Sequence, residues 1–239
     1  LVEVREPVSV AERFVMSVLT PGGETGLDAR ARVEPILLDP GLLSIVVQPV
    51  VDLGSGEVFA VEALARFDAE PPQSPDRWFD DAHRCDLGVA LEVLAVTRAL
   101  DVLDELPPHL AMTINVGPDA VRSPLFLEAL ERAPRDRLIL ELTEHTEVED
   151  YRELLAALRR LRRSGLRVAV DDTGSGYSGL AHILKIAPDF IKVDRELTSG
   201  VDLDPVRRAL ALALVTFAAD TGAQIVAEGI ETADELAEL

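Results

Sequence analysis

Cysteine occurs once, at Cys85, so the chain has no internal disulfide framework, and this usage fits a reducing, cytoplasmic compartment. Positive charge is scarce: 23 lysines and arginines stand against 43 aspartates and glutamates, a formal net charge of -20. Such a field disfavours a nucleic-acid backbone and a membrane surface, because both are held by positive charge. An anionic substrate would therefore need metal ions or local Arg and Lys to offset it. No stretch offers the roughly 18 uninterrupted apolar residues that a spanning helix requires. The chain does have material for a core. With 239 residues, 48% hydrophobic and 28% charged, it suits one sizeable domain. It opens on Leu1 and stops inside a helical pattern at Leu239, which predicts a piece of a longer protein.

The rest of the chain is organised around Val168-Ala169-Val170-Asp171-Asp172-Thr173-Gly174-Ser175-Gly176-Tyr177. A valine-rich run that ends in two carboxylates and a two-glycine loop reads as a buried strand delivering acids to an open end. Successive strand residues face opposite ways, so Asp171 and Asp172 enter one layer only if the chain turns between them. The glycines permit that turn. Two readings stand for the pair: oxygen ligands of a divalent cation that relieves their repulsion, or caps of a helix beginning near Ser178.

Residues 1–33 hold an apolar patch at 14–19 and a Pro21-Gly22-Gly23-Glu24-Thr25-Gly26 turn signal, and read as a linker or the tail of an upstream module. From Glu34 strands alternate with helices, the signature of a parallel sheet with crossover helices. Strands are expected at 45–52, 58–66, 110–116, 137–143, 166–172, 189–194 and 224–230. Helices are expected at about 76–86, 89–106, 119–132, 149–164, 178–186 and 204–221, with another starting at 232. Asp52-Leu53-Gly54-Ser55-Gly56-Glu57 is too short for a crossover, so the first two strands form an antiparallel hairpin. The units that follow predict a (β/α)8 TIM-like barrel with an antiparallel first strand, whose chemistry belongs at the carboxyl ends of its strands. Gln48, Glu62, Asn115, Glu141, Asp171, Lys192 and Glu228 stand along those strands among apolar neighbours, where charge is costly unless paired or bound to metal. Strand parity places Arg66 on the face of Glu62, within reach of a phosphate through its planar fork of donors.

These residues sit in motifs. Gln48-Pro49-Val50-Val51, Glu62-Ala63-Leu64-Ala65-Arg66, Asn115-Val116, Glu141-Leu142-Thr143-Glu144, Asp171-Asp172, Ile191-Lys192-Val193-Asp194-Arg195 and Ala227-Glu228-Gly229-Ile230-Glu231-Thr232 follow one another in order. The series resembles the EAL domains, bacterial phosphodiesterases that open cyclic di-GMP to linear pGpG, and it covers residues 34–239. The resemblance implies that Glu62, Asn115, Glu141 and Asp171 hold one Mg2+ or Mn2+, with Asp171, Asp172 and Glu228 near a second, and that Ca2+ inhibits. It implies Glu228 as proton acceptor, Lys192 as the group orienting water or steadying charge on the phosphate, and Glu144 as the support of the loop after the aspartate pair. Gln48, Arg66, Asp194 and Glu231 would face the substrate. It further implies an upstream sensory or GGDEF-like domain and a homodimer.

Two departures from the family pattern stand out: Thr173 where a phenylalanine is usual, and a chain that stops before the family's last strand. Thr173 supports an alternative, a catalytically weak EAL domain serving as a cyclic di-GMP receptor. Trp78, Phe79, His83 and Cys85 read as packing residues, and Arg159, Arg160, Arg162 and Arg163 as a solvated helix end.

Overall fold

The computed structural model describes residues 24–131, 133–142, 151–171 and 183–239. Glu144, Asp172 and Thr173, and the first residues of the helix expected at 178–186, lie outside the described residues. The chain divides into two compact units, Leu1–Arg137 and Leu138–Leu239.

In the first unit α1 (Glu24–Leu38) leads through a short 3-10 turn into β1 (Leu43–Val51) and β2 (Val58–Phe67). Helix α1 starts inside the stretch expected as a linker, and its Ala29, Val33 and Ile36 are buried in the core of this unit. The hairpin is antiparallel, with Gln48 opposite Glu62 and Ser44 opposite Arg66. Its turn is closed by Asp52, whose carboxylate accepts the Ser55 N–H at 2.7 Å, and by Gly56 at φ 74°, a left-handed value that glycine adopts without strain.

Next come α2 (Pro75–Arg84), α3 (Gly88–Glu105) and β3 (Ala111–Val116), and β3 runs parallel to β2. Trp78 is fully buried, with its ring 5.7 Å from that of Phe67, which fits a packing residue. Cys85 is buried as well, and burial pushes its thiol pKa up. The expected helix at 119–132 is instead two short helices, α4 (Pro118–Arg122) and α5 (Pro124–Ala129). The residue before a proline is pushed out of the helical region, and Ser123, extended at φ -69° and ψ 136°, breaks the helix and caps the second half.

The second unit carries β4 (Leu138–Leu142), α6 (Tyr151–Arg162), β5 (Arg167–Val170), β6 (Phe190–Val193), α7 (Arg195–Thr198), α8 (Pro205–Thr221), β7 (Gln224–Ala227) and α9 (Ala233–Glu238). Strands β4 to β7 pair in parallel. Leu154, Leu158 and Leu161 give α6 a buried stripe at helical spacing. Its final arginines are not all solvated. Arg162 donates to the carbonyls of Ile186 at 3.1 Å and Ala187 at 2.7 Å, tying the helix end to the segment before β6. Helix α8 has Asp204 as cap, Pro205 in its first turn and Gly222, at φ 78°, after its last. Among the described residues no helix is long and apolar enough to cross a membrane.

Candidate metal centre

Register decides which side chains meet at the carboxyl ends of the second unit's strands. Glu141 pairs with Ala169, Ala169 with Phe190, and Lys192 with Val226. Neighbours in register point to the same side of a sheet, and so do residues two apart on one strand. Glu141, Ala169, Asp171, Phe190, Lys192, Val226 and Glu228 therefore share one face. Glu141 and Lys192 lie on either side of β5, with Ala169 of that strand and Asp171 just beyond its end on the same face between them. On the amino side Arg167 lies over the Phe190 ring, 5.5 Å from its centroid, so the lower part of the face is covered by packing.

At the other end the Lys192 ammonium sits among three carboxylates. It is ion-paired with Glu141, lies 2.5 Å from Glu228 Oε1 and 3.5 Å from Asp171 Oδ1. Glu141, Asp171 and Glu228 each present an oxygen within 4.8 Å of the others. Burial grades across the cluster: Glu141 is fully buried, whereas the Asp171 and Glu228 side chains keep 20% and 34% of their exposure. One side is thus dry and the other open to solvent. Three carboxylates thus gather round one ammonium, and hard oxygen donors at this spacing suit a divalent cation. The residues present therefore fit the metal that the family pattern implies.

The chain that follows β7 is held by α7 and α9. Thr198, fully buried, donates its hydroxyl to the Glu228 carbonyl. Gly229 is left-handed at φ 66° and packs on Arg195, where a Cβ would stand 3.1 Å from that residue's Cα. Arg195 pairs with Glu231 at 2.8 Å on the surface. Glu235 accepts the N–H groups of Gly200 at 2.7 Å, Glu231 at 2.9 Å and Thr232 at 3.0 Å. Those donors, Gly200 first, pull its carboxyl down to about 2. Sequence reading missed Thr198 and Glu235. Thr232-Ala233-Asp234-Glu235 has the capping-box spacing that announces the second of them, and the box is formed.

The first unit brings together another pair. Glu62 is opposite Thr113 in the β2–β3 register, so it shares a face with Thr113 and Asn115, and the Asn115 amide nitrogen lies 3.5 Å from Glu62 Oε1. Gln48 is exposed directly across the hairpin from Glu62. Arg66 is exposed and donates to its neighbour's carbonyl, Ala65, at 2.8 Å. In the second unit Asp194, expected at the substrate, spends one oxygen on the N–H of Glu196 at 2.5 Å and caps α7.

A model of the EAL domain matches residues 36–239. The chain belongs to the EAL domain family. Among curated relatives, the cyclic di-GMP phosphodiesterase NbdA of Pseudomonas aeruginosa is 32% identical over 210 residues, which cover 82% of this EAL chain and 26% of that protein. The chain spans between about a quarter and a half of the length of the curated relatives it matches. The EAL enzyme Bd1971, solved with cAMP and cyclic di-GMP, superposes with a TM-score of 0.77 at 23% identity, covering 91% of this chain and 63% of that one. BlrP1 of Klebsiella pneumoniae, solved as a manganese and cyclic di-GMP complex at pH 9.0, gives 0.70 at 28% identity, covering 82% and 52%. These likenesses show the fold class: the EAL form of the TIM-like (β/α)8 architecture, with its first strand antiparallel to the second.

Proposed function

We propose that this EAL domain is a metal-dependent phosphodiesterase that hydrolyses cyclic di-GMP to linear pGpG. The observation that carries the reading is the cluster of Glu141, Asp171 and Glu228 around Lys192. Three carboxylates gathered at neighbouring strand ends, one of them fully buried, present hard oxygen donors close enough to share one divalent cation.

Glu141, Asp171 and Glu228 are the residues that would hold Mg2+ or Mn2+ here, and in the first unit Glu62 and Asn115 are the oxygen donors that the family pattern assigns to the same task. Asp172 is assigned with them on that pattern alone. When bound, such cations lower the pKa of a coordinated water and neutralise charge on a phosphodiester. Glu228 Oε1 is the proton acceptor: it is the most exposed of the three carboxylates, and the Lys192 ammonium lies beside it. Lys192 Nζ donates to the water or to a non-bridging phosphate oxygen, where negative charge grows. Arg66 and Gln48, both exposed, are the groups that would contact the substrate's phosphate and base. Leu212 and Val215, exposed three positions apart on α8, support the self-association that the family pattern implies.

The test is an incubation with cyclic di-GMP and Mg2+ or Mn2+, with the nucleotides separated by chromatography. The wild type should yield pGpG, and Glu141→Gln and Glu62→Ala should abolish the product and weaken Mn2+ binding in calorimetry. Binding of the dinucleotide by the wild type without turnover in either metal would replace this reading with that of a receptor.

A further inference from the structure

Glu92 is a carboxylate in the second turn of the apolar helix α3, with 6% of its surface exposed. Its Oε1 lies 3.0 Å from His83 Nε2, and its Oε2 accepts the Gly117 N–H at 2.6 Å. Gly117 follows β3 directly, caps α4 and stands two residues past Asn115. Two glycines make room for this chain of contacts. A Cβ on Gly117 would meet the Glu92 oxygens at 3.0 and 3.1 Å, and one on Gly88 would fall 2.2 Å from His83 Nδ1. An apolar side chain at position 92 would continue the helix's buried surface at no electrostatic cost, whereas an ionised one must be paired. This carboxylate spends one oxygen on His83 and the other on Gly117.

We propose that Glu92, seated by His83, is the positioning residue for the turn that carries Asn115. The inference rests on the assignment of Asn115 to cation binding. The mechanism is that of an outer-shell group: Glu92 fixes the backbone at Gly117, and through two peptide units that backbone sets the direction of the Asn115 side chain. His83 couples the seat to pH. Its hydrogen bond to Glu92 raises its pKa above the ordinary 6.5, against the pull of burial, and the charges of Glu92, Asp119 on α4 and Asp80 on its own helix act the same way. The charged pair is thus complete below about pH 6.5 and is lost as pH rises through the folded-state value.

The experiment is Mn2+ titration by calorimetry of wild type, Asn115→Ala, Glu92→Gln, Gly117→Ala and His83→Gln at about pH 6 and about pH 9, with cyclic di-GMP turnover and thermal unfolding run alongside. Asn115→Ala should weaken Mn2+ binding. Glu92→Gln should weaken it roughly 10- to 100-fold, the range for lost outer-shell partners, in a chain that still unfolds cooperatively. Gly117→Ala, which presses a methyl on the carboxylate without removing it, should act in the same direction. His83→Gln should bind Mn2+ more weakly than wild type at the lower pH and match it at the higher one. Wild-type affinity in Glu92→Gln and Gly117→Ala, with affinity lost in Asn115→Ala, overturns the role of Glu92 and leaves the cation reading standing. Wild-type affinity in Asn115→Ala overturns the cation reading at that residue, and the role of Glu92 falls with it.

Discussion

Replacing Lys192 by methionine keeps the length of the side chain and removes the ammonium that Glu141, Asp171 and Glu228 share. The cost follows from their burial. Asp171 and Glu228 retain part of their solvent contact, so each loses the equivalent of a surface pair, about 0–1 kcal/mol. Glu141 has none, and removing one partner of a buried pair costs about 3–5 kcal/mol. The sum is dominated by Glu141. With a urea slope of about 3 kcal/mol/M, the unfolding midpoint of the variant should fall by roughly 1–2 M at neutral pH. The same bookkeeping predicts relief by metal, because a divalent cation replaces the missing positive charge. At a concentration about 100 times its dissociation constant, Mn2+ should restore about 2.7 kcal/mol. Turnover should stay low in the stabilised variant, by about 10²-fold or more, because the group proposed to donate to the phosphate or the water is gone. The assay is urea denaturation followed by circular dichroism, with and without Mn2+. A loss under about 1 kcal/mol, or no response to Mn2+, would refute both the electrostatic account of the cluster and its reading as a metal centre.

Other outcomes follow from the same geometry. Gly229→Ala should destabilise the chain by about 1–2 kcal/mol for the left-handed backbone, with more from the clash with Arg195. It should also lower kcat, because the neighbouring Glu228 carbonyl is held by Thr198; unchanged thermal stability and kcat would argue against that brace. Glu235 is held near 2 in the folded chain against an ordinary 4.5. Its contribution is present above about pH 4.5 and vanishes as pH falls toward the folded value, so acid unfolding of Glu235→Gln should be flatter than wild type across that window. In His83→Gln, stability relative to wild type should be lowest in mild acid and recover as pH rises through the folded value of His83, measured by urea midpoints at several pH values. Ser123→Ala should cost about 0.5–2 kcal/mol by removing the cap of α5, with little effect on turnover.

Much of the fold is legible along the chain because its signals are local. The strands that carry or lead into Asn115, Glu141, Asp171, Lys192 and Glu228 are short apolar runs bounded by turn residues, and all seven expected strands are present. The hairpin follows from the length of the Asp52–Glu57 link. The break at Ser123-Pro124 was equally local and was overridden by an apolar periodicity that runs across it. The start of α1 was hidden because the turn signal of Pro21 to Gly26 runs into its first residues, Glu24, Thr25 and Gly26. The Glu92 contacts were illegible for a different reason: a glutamate inside an apolar helix shows no partner until Gly117, 25 positions away, is brought to it.

The order of the motifs and the identity of the acids belong to the sequence, since family membership and the periods of strand and helix are properties of residues and spacing alone. Tertiary structure decided the grouping and the grading. Parallel register put Glu141, Asp171 and Glu228 on one face, the Lys192 ammonium reached Glu141 across β5, and burial separated a dry carboxylate from two wet ones. Distance between charges, and the water around each, depend on how strands pair and pack, which no spacing along the chain contains.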